Sequence, residues 1–153
     1  MIHDLLRVKR IREKAAEDHV RTCRYRVEVA VKQLEAKEKE LVEYKQWRLQ
    51  EETRLYDEVM NTSVKQFDLD IIKQKVALLR QKDLTLEEEI ASAKTDLQKA
   101  REELEQATQA HLLATRAVQK FEEFADVVDK ETAREKARIE ELELEEFTPT
   151  KRY

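Results

Sequence analysis

Glycine is absent from the 153 residues, and the single proline stands at position 149. Average usage of roughly 7% would supply about ten glycines. Tight turns, glycine-terminated helix caps and phosphate-cradling loops use glycine for positive φ, so a dinucleotide fold, a P-loop and most β-sandwiches are excluded. Aromatic residues are scarce, at 6%. One cysteine, Cys23, rules out an internal disulfide and fits a reducing compartment. No uncharged apolar run approaches the ~18 residues that cross a bilayer. The opening MIHDLLRVKRIREKAAEDH carries a charge every two or three residues, which excludes the apolar region of a signal peptide. A soluble cytoplasmic protein without membrane insertion is expected.

What remains is charge and helix formers. Charged residues make up 42% of the chain, 30 Lys and Arg against 34 Asp and Glu, for a net charge of -4. That balance gives no global attraction to nucleic acid or an anionic membrane. High charge with few aromatics is also the composition of disorder, but periodicity argues otherwise. From Leu69 the positions Leu69, Ile72, Val76, Leu79, Asp83, Leu86, Ile90, Ala93, Leu97, Ala100, Leu104, Ala107, His111, Ala114, Val118, Phe121, Ala125, Val128, Thr132, Glu135, Ile139 and Leu142 step by three and four without a slip. Such a seam, about ten heptads long, is that of a coiled coil, and at ~1.5 Å per residue it spans about 110 Å.

The first half carries a poorer seam: Leu5, Val8, Arg12, Ala15, His19, Cys23, Val27, Ala30, Leu34, Lys37, Leu41, Tyr44, Arg48, Glu52, Leu55, Val59. Two successive steps of four around Cys23 predict a stutter that unwinds the supercoil there. Arg12, Lys37, Arg48 and Glu52 are polar seam positions, which cost stability and fix register. Between the halves, Asn61, Thr62 and Ser63 are the densest cluster of non-helical preference, and Ser63 or Asp68 suits a helix cap. The fold class predicted is therefore all-α, a long antiparallel two-helix coiled-coil hairpin. Its parts are a first helix over 1–60, a turn over 61–68, a second, longer helix over 69–147, and a frayed tail over 148–153.

Folding back at 61–68 sets residue i near residue 129 minus i. The first 26 residues, with eight Lys or Arg against four Asp or Glu, then lie beside Glu102, Glu103, Glu105, Glu122 and Glu123. Leu5 falls near Phe124, so residues from about 125 to 147 should overhang as a single helix. Residues 122–147 hold eleven Asp or Glu against four Lys or Arg, yet Val128, Ile139 and Leu142 continue an apolar stripe there. A stripe without an internal partner is a surface for an external one.

Chemistry-bearing constellations are few. His19 and His111 fall close together across the seam, but two isolated seam histidines satisfied by backbone or water outweigh a metal pair. Cys23 reads as a small seam hydrophobe without an activating base. No HExxH or CxxC is present, and a two-helix rod has no concave pocket in which groups converge, so neither enzymatic activity nor a cofactor is expected. The run RVKRIR lacks interleaved aromatics for base stacking and reads as a solvated face or a protein-docking surface. Tyr44 to Val59 holds the only Trp and two of the four Tyr. Trp47 either packs along the flank near Leu79 and Lys82 or anchors a protein interface, and Arg48 is placed to pair with Asp83. Phe67, Leu69, Ile71 and Ile72 cluster near the turn, more apolar surface than a hairpin tip buries.

The basic opening LLRVKRIREKAAE, the block YxxWRxxEExRLY at Tyr44 to Tyr56, the two-arm layout and the ending ELEEFTP together resemble the type III secretion stalk family. Its members include YscO and the flagellar FliJ, and the likeness is greatest to the YscO branch over nearly the full length. The resemblance implies a non-enzymatic stalk, similar to the gamma subunit of rotary ATPases, in a virulence-associated protein-transport machine. Such a stalk couples the hexameric secretion ATPase to the export gate and handles secretion chaperones or the needle-length regulator. By family geometry Arg7, Lys9, Arg10, Ile139 and Leu142 would face the ATPase, while Phe67 and Ile71 would face the gate. Trp47, Arg48, Glu51 and Glu52 would form a docking flank. The expected location is cytoplasmic, peripheral to the inner-membrane machinery, and the chain alone is expected to be a monomer. The alternative is a homodimeric scaffold in which each chain is one straight coiled-coil helix.

Overall fold

A computed structural model describes residues 1–61 and 66–147, with the backbone alone for Gln66 and Phe67. Two helices account for nearly all of it: α1, Ile2–Met60, and α2, Gln66–Phe147. Strong helix formers without an internal glycine or proline let each run unbroken. The helices pack against each other as an antiparallel hairpin, so one straight helix per chain does not hold. After Met60 the last turn closes with the Asn61 backbone N–H donating to the Asp57 carbonyl at 3.3 Å. Residues 66–68, expected in the turn, are already helical; Asp68 sits in the first turn of α2, where its charge favours the helix N-terminus. Ser63, the other cap candidate, and the tail over 148–153 lie outside the described residues.

The chain divides into two compact units, Met1–Arg21 with Gln106–Tyr153 and, separately, Thr22–Glu105. In the first, Leu6, Val118 and Ala125 are buried, with Ile2 and Phe121 packed on them. In the second, Ala30, Leu97 and Ala100 form one cluster, and Leu55, Ile72 and Val76 another. The alanines in the middle cluster leave room for close backbone approach. Cross-helix pairs within each unit, such as Arg10 with Glu122, Lys37 with Glu89 and Arg48 with Asp83, have position numbers adding to between 123 and 132. The expected value is 129.

Burial follows the expected seam of α2 from Leu69 to Val128 and that of α1 from Cys23 to Val59. Before Cys23 the α1 seam is one residue later than expected. Leu6 and Val20 are buried, Ile2, Lys9, Glu13 and Ala16 are half-buried, and Leu5, Val8, Arg12, Ala15 and His19 are exposed. The physical reason is spacing. From Ile2 the half-buried and buried positions alternate steps of four and three straight through Cys23, so the stutter expected there does not occur. The break in alternation comes later, where Tyr44, Arg48 and Glu52 are separated by two steps of four.

Candidate protein-interaction site

The stutter at Tyr44, Arg48 and Glu52 turns all three side chains toward α2 and builds a connected polar network there. The Arg48 guanidinium donates to Asp83 on α2, with Nη2 to Oδ2 at 2.9 Å, and to Glu52 one turn on, also at 2.9 Å. Arg80 Nε, from α2, donates to the same Glu52 carboxylate at 3.1 Å. Two cations and two carboxylates thus alternate along one connected chain. Only 13% of the Arg48 side chain and 10% of that of Glu52 reach solvent. Hydrogen bonds from Arg80 and then Arg48 hold the Glu52 carboxyl below its usual value despite the opposing effect of burial. The bond to Glu52, with that to Asp83, stabilises the Arg48 cation further.

Tyr44 adjoins this network. Its hydroxyl donates to the Leu79 carbonyl at 2.7 Å, and Lys82 lies over its ring at 4.9 Å. Burial first, then the nearby Asp83 charge, pushes its phenol pKa up. The Tyr44 and Trp47 rings sit 5.7 Å apart. Trp47 therefore packs on a neighbour and is still 49% exposed. Arg48 and Glu52, expected on a docking flank, are instead held inside the hairpin, because a stutter directs them at the partner helix. Glu51 remains near the surface and is held by Arg54 at 2.6 Å. No sequence signal distinguished Arg80 as the fourth member of the network.

The residues expected at the ATPase end belong to the first unit. Arg7 pairs with Asp4 at 2.6 Å, Lys9 lies 5.3 Å over the Phe121 ring, and Arg10 reaches Glu122 at 3.3 Å. His3 Nε2 meets Asp129 Oδ1 at 2.9 Å. From Asp129 to Phe147 every residue is exposed, Ile139 and Leu142 among them. The exposed stretch starts at Asp129, later than the expected 125, because Ala125 is buried against Leu6 and Val128 is half-buried. In the second unit, Ile71 is half-buried beside Leu55, Val59 and Ile72 around an open hollow. The side chain of Phe67 lies outside the described residues.

Among the described residues no group of three or more His, Cys, Asp or Glu side chains is placed to hold a metal ion. None of the described helices is long and apolar enough to cross a membrane. The hollows described here are shallow and open on the helix surface.

The family model for type III secretion protein YscO matches residues 2–150. The crystal structure of type III secretion protein YscO from Vibrio parahaemolyticus superposes with a TM-score of 0.89 at 33% identity, covering 96% of this chain and 92% of that one. A comparison with curated proteins finds no match. A full-length family match, together with a common hairpin of two long helices at this level of identity, establishes that the chain belongs to the YscO family of type III secretion proteins.

Proposed function

We propose that this protein is a non-enzymatic central-stalk component of a bacterial type III secretion system. It couples the hexameric secretion ATPase to the export gate and engages secretion chaperones or the needle-length regulator. The observation that carries this reading is the single-helix extension of α2. Residues 129–147 continue past the cross-helix tie of His3 to Asp129, with Ile139 and Leu142 exposed among the five glutamates of 139–147. An apolar stripe in a charged helix gains free energy when a partner covers it. The basic arm at Arg7, Lys9 and Arg10 stands next to the start of this extension and supplies the second half of an ATPase-facing end.

In the second unit, Phe67 and Ile71 are proposed to meet the export gate. Trp47, half-exposed on a rigid helix and braced by Tyr44, is the anchor proposed for a chaperone or regulator, with Glu51 beside it. Tyr44, itself held by the Leu79 carbonyl and Lys82, keeps Trp47 in place on this flank.

The test is a pull-down and ATPase assay with the secretion ATPase encoded in the same operon. Ile139→Asp with Leu142→Asp should abolish binding while circular dichroism shows unchanged helicity. Arg7, Lys9 and Arg10 changed to Ala should weaken it. Binding that survives both sets would overturn the assignment of this end.

A further inference from the structure

The two flanks of the first unit are unlike. Positions one residue after the seam carry cross-helix charge pairs, His3 with Asp129 and Arg10 with Glu122. In an antiparallel pair, positions one residue before the seam on both helices share the opposite flank. There α1 presents Leu5 and Val8, and α2 presents Leu113, Phe124 and Val127, all exposed. Phe124 and Val127 are 56% and 51% exposed and, with Lys120, Phe121 and Glu123, line an open hollow of about 450 Å³. The flank's own positions from 1 to 19 and 106 to 127 include Arg12 and Lys120 and no Asp or Glu, with one carboxylate, Glu123, beside them in the hollow. The surface calls for an amphipathic helix with apolar anchors and negative charge.

The same chain supplies one. Residues 139–147 hold five Glu and no Lys or Arg, with Ile139 and Leu142 exposed between them. Their negative charge is increased by the macrodipole, because α2 ends here without a basic residue in its last turn. This segment continues straight from the helix that carries half the flank, so it cannot fold onto its own flank. A second copy can receive it.

We propose that the chain self-associates through these two surfaces. The acidic end of α2 of one copy lies against the flank of Leu5, Val8, Phe124 and Val127 of the other, and the exchange is reciprocal about a two-fold axis. Ile139 and Leu142 cover Phe124 and Val127, while the glutamates meet Arg12 and Lys120. The seam closes within one chain, which is why the sequence predicts a monomer; the flank is a second apolar surface outside that seam. Self-association covers Ile139 and Leu142, so a dimer and an ATPase-bound form exclude each other. The inference does not rest on the stalk reading, because it is measured with this chain alone.

Sedimentation equilibrium from low micromolar to submillimolar protein is the test. The native chain should rise toward twice its monomer mass, less so at high salt. Phe124→Glu with Val127→Glu should stay monomeric with unchanged helicity, since both side chains are exposed. Lys120→Glu and Glu143→Lys should each weaken association, and mixing the two variants should restore it in part. Carbodiimide treatment of mixed isotope-labelled and unlabelled copies should link Lys120 of one copy to residues 140–146 of the other. A native chain that is monomeric throughout overturns the proposal and leaves the flank to another protein's acidic helix. A dimer indifferent to the Phe124 and Val127 changes overturns it equally.

Discussion

Arg48 and Asp83 meet across the two helices at 2.9 Å, in the one stretch where the seam of α1 breaks its alternation of threes and fours. Removing Arg48 alone leaves two carboxylates facing each other's field in a partly desolvated site. Arg48→Leu should therefore destabilise the hairpin by about 2–3 kcal/mol, below the ~3–5 of a fully buried pair because some solvent reaches this one. Replacing Arg48, Glu52 and Asp83 together by Leu should recover most of that loss. Urea unfolding followed at 222 nm measures both. A triple variant as unstable as the single one would show that the network stabilises by more than mutual compensation.

The sign of the acid response follows from Glu52. Its folded-state pKa lies below the ordinary value of 4.5, so the unfolded chain binds the proton more readily. The stability it contributes is full above pH 4.5 and is lost as pH falls through the folded value. Glu51, lowered first by its hydrogen bond from Arg54, acts in the same direction. The urea midpoint should drop below pH 4.5, and Glu52→Gln should flatten, without abolishing, that drop. An unchanged slope in Glu52→Gln would place the acid response elsewhere.

At the alkaline end Tyr44 acts with the opposite sign. Its folded pKa is raised above 10.0, chiefly by burial, so its contribution is present below the unfolded value and is lost as pH rises through the folded one. Ionisation also removes the hydroxyl donor to the Leu79 carbonyl. Tyr44→Phe should cost about 1 kcal/mol at neutral pH and reduce the loss of stability above pH 10. The Tyr44 absorbance change near 295 nm, measured as a difference from this variant, reports the titration directly.

The seam of α2 was legible from Leu69 to Val128 because apolar residues hold nearly every position in it. The seam of α1 was legible only from Cys23 onward. Before it, two apolar stripes run one residue apart, Leu5, Val8 and Ala15 beside Ile2, Leu6, Ala16 and Val20, and both have coiled-coil spacing. Continuity with Cys23 decides between them: Val20 precedes it by three residues and is apolar, whereas choosing His19 requires a stutter. The stripe left over became an exposed flank. The pairing of Arg48 with Asp83 followed from register alone. Arg80, also close in register, had no such signal, because its long side chain reaches Glu52 from an exposed position.

Cys23, among the most deeply buried side chains at 1% exposure, provides a probe of opening. A thiol in that position reacts only when the structure around it opens, so labelling by an aromatic disulfide reagent should be slow and should track unfolding free energy. Arg48→Leu, which weakens the same unit, should speed it in proportion to the stability it loses. Fast labelling of the native chain, equal to that of the urea-unfolded one, would mean that the seam at Cys23 is open in solution.

The extension of α2 should be the least protected helix in the molecule. All of 129–147 is exposed, and acidic residues crowd the end where the macrodipole is already negative. A helix of this length without tertiary cover is marginal in water. Hydrogen exchange at low micromolar concentration should show amides from 132 to 147 exchanging far sooner than those from 97 to 125, which belong to the packed seam. Addition of the secretion ATPase should slow exchange over 132–147 by at least tenfold if that end is the docking site. Raising the concentration of the chain alone should also slow it, with matching protection around Phe124 and Val127, if two copies exchange their acidic ends. Protection that appears with neither addition would leave the exposed stripe of Ile139 and Leu142 without a partner of either kind.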